Sequence, residues 1–236
     1  MLTINFDRFG MQDGDCVLDL GCGVGRHVIT AYTLKDVQSI GIDLSHDDLK
    51  TASERFTSEF EEKGNQAKSF GLSVANGLSL PFADHSFDKI ICSEVLEHIP
   101  DYKSVLSEIN RVLKPGGILA ASVPRRFPEW ICWQLSEEYH NEEGGHIRIF
   151  NAAKLRRNIE QKGFKFFARH WAHALHVPYW WLQCLFWSKR ETSKIVKAYH
   201  RFLVWDLIKR PFLTRFLDKA LNPLMGKSVV MYFKKD

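Results

Sequence analysis

The chain has 236 residues, 45% of them hydrophobic and 25% charged, which suits one large globular domain and excludes both a disordered chain and a membrane bundle. Its net charge of +4 hides a split: residues 1–150 carry 14 Lys/Arg against 23 Asp/Glu, net −9, while residues 151–236 carry 18 against 5, net +13. Five scattered cysteines (Cys16, Cys22, Cys92, Cys132, Cys184) form no CxxC pair, which argues against a zinc site or disulfide frame and for reduced thiols in a cytoplasm. No cationic stretch leads into an apolar run at the start, so no signal peptide is expected.

In chain order, Cys16–Leu20 is a short apolar run ending in glycines, and Ser39–Asp43 is a second. Ser45 stands three residues before Asp48 as a capping box, and Leu49, Ala52, Phe56 and Phe60 follow at helical spacing. Phe70–Ala75, Lys89–Cys92 and Ile118–Val123 are three more strand candidates. Val105, Ile109, Val112 and Leu113 mark a helix stopped by Pro115-Gly116-Gly117. Ala153, Leu155 and Ile159 suggest a further helix, Phe164–Ala168 a strand, and Ser228–Phe233 a strong last strand. Strands alternating with helices predict an α/β domain whose parallel sheet is covered on both faces.

Asp19-Leu20-Gly21-Cys22-Gly23-Val24-Gly25 leaves the first strand and enters a helix. Glycines there allow a sharp turn and close ligand approach. Asp43 ends the next strand, where a carboxylate can accept from both hydroxyls of a ribose. A plain turn and a dinucleotide site compete for this loop, but the dinucleotide fingerprint is GxGxxG, whereas this is GxGxG preceded by an aspartate. Downstream come Leu80-Pro81-Phe82-Ala83-Asp84-His85-Ser86-Phe87-Asp88, Ser93-Glu94-Val95-Leu96-Glu97-His98-Ile99-Pro100-Asp101 and Arg111-Val112-Leu113-Lys114-Pro115-Gly116-Gly117.

Together, over about residues 14–124, these motifs resemble the class I S-adenosylmethionine-dependent methyltransferases, in particular the quinone-pathway-like group called type 11. The resemblance implies a Rossmann-like, mostly parallel seven-stranded sheet of order 3-2-1-4-5-7-6 with an antiparallel last strand, Ser228–Phe233. It implies that Asp19, Gly21, Gly23 and Gly25 line the methionine end of S-adenosyl-L-methionine, that Asp43 and Leu44 hold ribose and adenine, and that Ser93 lies at the pocket. Asn76-Gly77 falls where relatives place an aspartate against the adenine amino group; Asn76 could still accept through its amide oxygen, or be a turn residue.

Glu94, Glu97 and His98 follow the fourth strand in an E-x-x-E-H spacing, one face of a helical turn. They are the candidate catalytic groups, His98 as general base, and the candidate ligands for a divalent metal ion. Ubiquinone-pathway and small-RNA 2′-O-methyltransferases resemble this cluster and use it for an ion, while other relatives have the same letters without a metal. Arg125 and Arg126 after the fifth strand could bind an acceptor carboxylate or phosphate, or be solvated. His146-Ile147-Arg148-Ile149-Phe150 matches an H-x-R-x-F pattern of relatives, with His146 facing the acceptor or holding the loop.

The single domain 1–236 contains an aromatic, basic insertion at 171–226, expected as a helical substrate lid or a membrane-contact element, with Trp180 as a candidate substrate contact. Positions 195, 199, 202, 203 and 208 fit one apolar helical face. His170, His173 and His176 recur every third residue and are expected to be packing or pocket residues. The expected function is methyl transfer, with oxygen the favoured atom, to a hydrophobic or lipid-like small molecule, by a cytoplasmic protein with peripheral contact at the inner membrane surface. The alternatives are an RNA methyltransferase, carried by the basic C-terminal segment, and a cofactor-binding interaction module.

Overall fold

The computed structural model describes residues 2–60 and 69–236. In chain order it runs α1 (Phe6–Phe9), β1 (Cys16–Leu20), α2 (Arg26–Leu34), β2 (Gln38–Asp43), α3 (His46–Phe60), β3 (Phe70–Val74), β4 (Phe87–Ser93), α4 (Tyr102–Val112) and β5 (Leu113–Pro124). Then follow α5 (Arg126–Leu135), α6 (Glu137–His140), α7 (Ala152–Glu160), β6 (Phe164–Ala172), α8 (Val177–Leu185), α9 (Lys194–Lys209), α10 (Phe212–Met225) and β7 (Ser228–Lys235). The sheet order is 3-2-1-4-5-7-6, as the motif resemblance implies. β1 to β5 pair in parallel, and β7 runs antiparallel between β5 and β6.

Side-chain alternation decides which layer covers each face. Leu18, Ile90, Cys92, Leu119, Ala121 and Met231 share a buried cluster with Val105, Ile109 and Val112 of α4 and Leu155 and Ile159 of α7. The intervening positions Val17, Ile91, Ala120, Val230 and Tyr232 face the other way, against Phe9 of α1 and Ala31 of α2. A two-residue period on strands buried on both sides gives near-continuous apolar runs. Tyr232 also ties the first segment down: its hydroxyl accepts the Asn5 N–H at 2.8 Å.

Half of the capping box forms: the Asp48 N–H donates to Ser45 Oγ at 3.2 Å, while the Ser45 N–H goes to Asp43 instead of back to Asp48. Leu49 and Ala52 are buried, and Phe56 stacks on Phe70 with centroids 3.7 Å apart. β5 and β6 extend furthest beyond their apolar runs. β5 starts at Leu113, which pairs with Phe87; the register breaks and resumes at Lys89–Ile118. Pro115-Gly116-Gly117 therefore ends α4 and also fills an irregularity within a strand, where Gly116 has φ +76°. β6 continues to Ala172, because His170 and Trp171 pair with Val230 and Val229. The connection from β6 to β7 is thus 173–227, and the first two residues of the expected insertion are sheet.

The expected apolar face of α9 is divided. Leu203 is buried, Tyr199 and Phe202 are half-buried, and Ile195 and Ile208 face solvent. His170 and His173 are packing groups: their Nε2 atoms lie 3.2 Å from the Thr3 carbonyl and 3.1 Å from Thr3 Oγ1. Among the described residues no helix is long and apolar enough to cross a membrane.

Candidate functional site

A cavity of about 500 Å3 opens at the carboxyl ends of β1, β2 and β4, where open α/β sheets bind ligands. Gly21, Gly23, Asp43, Leu44, Asn76 and Gly77 line it, with Glu94 and His98 on its far wall. A larger groove of about 700 Å3 runs between α2, α9 and α10. It lies away from the strand ends and holds none of the motif residues, so the smaller cavity is the candidate site.

The loop after β1 is held by backbone and carboxylate together. Gly21 has φ +71°, and a Cβ there would collide with the Val95 side chain, so glycine is required by conformation and by space. Asp43 folds back onto this loop: Oδ2 accepts the Gly23 N–H at 2.8 Å and Oδ1 the Ser45 N–H at 2.9 Å. A carboxylate has about four lone-pair sites, so both oxygens keep capacity for a pair of hydroxyls.

Asp19 and Gly25 do not line the cavity. Asp19 is buried beneath the loop and accepts the Val28 N–H of α2 at 3.0 Å through Oδ2, while Oδ1 has no partner. Burial pushes its carboxyl up to about 7, against the opposing pull of the Val28 N–H. Gly25 begins α2, and a Cβ there would stand 2.9 Å from Ala52 Cβ; its role is close helix packing. Asn76 Oδ1 accepts the Leu78 N–H at 2.9 Å, a turn bond that occupies one of its lone pairs. Leu78, Val95 and Ile99 also line the cavity; no polar motif marks them, and sequence reasoning missed them.

Glu94 has φ +57°, a left-handed conformation uncommon outside glycine. It turns the carboxylate back to β5, where Oε1 accepts from Ser122 Oγ at 2.8 Å. Ser93 Oγ lies 2.9 Å from Ser122 Oγ, and because the Ser122 proton is already given to Glu94, Ser93 donates to Ser122. Ser93 thus supports Glu94.

Glu97, His98 and His146 come together, with one ligand-type atom of each within 4.8 Å of the others. Glu94 is outside this trio, and His146 is inside it, 48 residues beyond His98. His98 Nδ1 faces the carbonyls of Gly144 and Gly145 at 2.9 and 3.1 Å. Carbonyls only accept, so Nδ1 carries the proton and Nε2 is left as an acceptor. His146 Nδ1 lies 2.6 Å from Glu129 Oε1, which fixes the same tautomer. Its Nε2 is 4.0 Å from Glu97 Oε1.

Glu97 is fully buried and neither carboxylate oxygen has a hydrogen-bond partner. Burial, then the neighbouring Glu94, pushes it well above the ordinary carboxylate range. Burial also pushes Glu129 up, but the His146 hydrogen bond, with the Lys227 charge, outweighs it and holds the carboxyl below its usual range. Tyr139 donates to the same Glu129 oxygen at 3.1 Å. The sequence gives no sign of Glu129, which meets His146 only through the fold.

Arg125 is engaged elsewhere: Nη1 donates to the Asn222 carbonyl at 3.2 Å and the guanidinium lies over Trp171 at 5.5 Å. Arg126 is exposed at the start of α5. Trp180 stands 6.1 Å from the Tyr139 ring with Lys227 Nζ 4.3 Å from its own centroid, so it joins an aromatic wall beside Glu129 and His146. α8 reaches this wall by packing on α5, with Trp181 Nε1 donating to the Pro128 carbonyl at 3.1 Å.

Residues 18–121 match a family model described as a methyltransferase domain. A "27-O-demethylrifamycin SV methyltransferase" of Amycolatopsis mediterranei is 34% identical over 157 residues, 66% of this chain and 56% of its own length. An "O-methyltransferase rstn1" of Aspergillus nomiae is 35% identical over 114 residues, 48% of each chain. The chain thus spans about half the length of these curated relatives. Among solved structures, one titled a putative methyltransferase from Bacillus halodurans superposes with a TM-score of 0.63, covering 98% of this chain and 96% of that one at 20% identity. Likeness at that identity carries the fold alone.

Proposed function

We propose that the protein, whose residues 18–121 match a methyltransferase-domain model, transfers a methyl group from S-adenosyl-L-methionine to the oxygen of a hydrophobic or lipid-like small molecule. The observation that carries this reading is the cavity at the strand ends, where a glycine loop and the Asp43 carboxylate meet. The residues fit an adenosyl sulfonium. Gly21 and Gly23 leave room for its methionine end, Asp43 has acceptor capacity for ribose hydroxyls, and Leu44, Leu78 and Asn76 edge a slot suited to a flat base. When bound, the sulfonium supplies a methyl group already activated for displacement.

The chain's own contribution is positioning, dryness and proton removal. Val95 and Ile99 close the cavity with apolar surface. Trp180 and Tyr139 offer an aromatic wall to the acceptor. His98 and His146 both present Nε2 as an acceptor, so either can take a hydroxyl proton. His146 has the better support, because the Glu129 carboxylate stabilises the imidazolium that would form. Glu97, His98 and His146 also have the oxygen and nitrogen donors of a borderline divalent ion, with Glu129 behind His146 as such sites require.

Calorimetry with S-adenosylhomocysteine, then turnover on quinone, polyketide, lipid and RNA acceptors with and without chelator, tests the proposal. Uptake of the nucleoside with turnover on an apolar hydroxyl is expected. Preference for RNA would overturn the acceptor class, and uptake with no turnover would leave a binding module. Full activity in chelator would assign the His98–His146 trio to acceptor handling alone.

A further inference from the structure

The last helix of the protein is polar inside and apolar outside. On α10, Thr214 is buried, Asp218 Oδ1 accepts the Leu175 N–H at 3.1 Å, and Asn222 Oδ1 accepts the Ala174 N–H at 2.9 Å. These three recur at intervals of four, one face of the helix, and it is the face turned to the protein. The opposite side carries Phe212, Leu213, Phe216 and Leu224, which are 84%, 65%, 58% and 71% exposed. Before the corner at Arg210 and Pro211, Trp205 and Ile208 of α9 are also exposed, at 48% and 70%, and on α10 the Phe212 and Phe216 rings stack 6.4 Å apart. Scattered exposed leucines need no explanation, but a contiguous run of large apolar and aromatic groups marks a contact surface.

Charge selects the contact. The outward sides of α9 and α10 carry Lys197, Arg201, Lys209, Arg210, Arg215 and Lys219, all exposed. The only carboxylates between 194 and 225 are Asp206 and Asp218; both face the groove that Arg210, Arg215 and Lys219 edge, with Asp206 Oδ1 buried and Asp218 bonded to Leu175, so the six cations outnumber them three to one. Two copies joined through this surface would set cations against cations. A nucleic acid would find its phosphates facing an apolar centre. An anionic bilayer satisfies both parts, with acyl chains for the aromatic face and lipid phosphates for the fringe.

We propose that the α9–α10 corner is a bilayer-docking surface, lying in the plane of an anionic membrane with Phe212, Leu213 and Phe216 below the headgroups. It gives a fixed place to the membrane contact expected from the basic, aromatic composition of the segment, and moves it from the Tyr199–Phe202 side of α9 to α10. Docking is read without turnover, so it stands or falls separately from methyl transfer.

The test is flotation of the full-length protein with vesicles of phosphatidylcholine alone or with 30% phosphatidylserine. Binding to the anionic vesicles is expected, weaker by about tenfold or more on the neutral ones. The double variant Phe212→Ser, Phe216→Ser should lose about tenfold or more in low salt, and Arg215→Glu, Lys219→Glu should reproduce the effect of high salt on the unaltered protein. These side chains are exposed, so circular dichroism and melting temperature should hold. Absence of binding to anionic vesicles, or binding that both double variants retain, overturns the proposal. So does a vesicle-free dimer that the Phe→Ser pair disperses, or an affinity for RNA that competes with vesicles.

Discussion

Replacing Asp43 by Asn separates loop stapling from ligand binding. The carboxylate holds the Gly23 and Ser45 N–H groups at 2.8 and 2.9 Å. Asn keeps one acceptor oxygen and places an NH2 where the other stood, so one backbone donor then meets a donor. Losing a charge-assisted bond and stranding a half-buried N–H costs about 1–3 kcal/mol. At about 2–4 °C per kcal/mol for a domain of this size, the ligand-free melting temperature should fall by roughly 2–12 °C. The ribose loses one of two acceptors of the same kind, about 1.5–3 kcal/mol, so affinity for S-adenosylhomocysteine should drop about 10- to 100-fold. Differential scanning fluorimetry gives the first number and titration calorimetry the second. A lowered melting temperature with unchanged affinity would make Asp43 a staple only, and the reasoning that puts an adenosine at this edge would be refuted.

Two further outcomes are expected. Burial, then Arg26, pushes buried His27 down to about 3 from an ordinary value of 6.5. The fold therefore favours the neutral ring: that stability is complete above the unfolded value and is lost as pH falls toward 3. Between pH 7 and pH 5 the loss is about 2 kcal/mol; His27→Gln should flatten this part of the acid limb in denaturant titrations, and an unchanged slope would contradict the assignment. Glu129→Gln keeps an acceptor for His146 but removes the charge, so kcat should fall about 10- to 100-fold with KM little changed; a kcat within twofold of the parent would dismiss His146 as the base.

The strand order followed from the motif resemblance, whereas the glycine loop and the Asp43 carboxylate were legible because each depends on near neighbours: turn geometry and a strand end. What eluded the sequence depends on contacts between distant segments. Glu129 becomes the partner of His146 only because α5 and the 141–150 loop converge. Asp19 carries the family's letter yet works beneath the loop, holding the start of α2. Arg111, part of a downstream motif, clamps the Leu80 and Phe82 carbonyls at 3.0 and 2.7 Å, which fixes the cavity's neighbouring loop and involves no chemistry. The orientation of α10 is not legible in the sequence because a helix with its apolar side outward has the same periodicity as one packed normally; the Leu175 and Ala174 N–H groups bonded to Asp218 and Asn222 reveal which side is which. β6 was cut short because an edge strand tolerates His, Lys and Arg on its open side.

β7 follows every other strand of this sheet in sequence, yet it sits between β5 and β6 and makes both of their seams. Until it arrives, two parallel-running strands that were synthesised earlier have exposed edges and no bond to each other. The connection 173–227 separates β6 from this partner, so closing the sheet joins segments far apart along the chain. Unfinished chains would therefore present sticky strand margins, and chaperone occupancy during synthesis should persist until the final strand emerges.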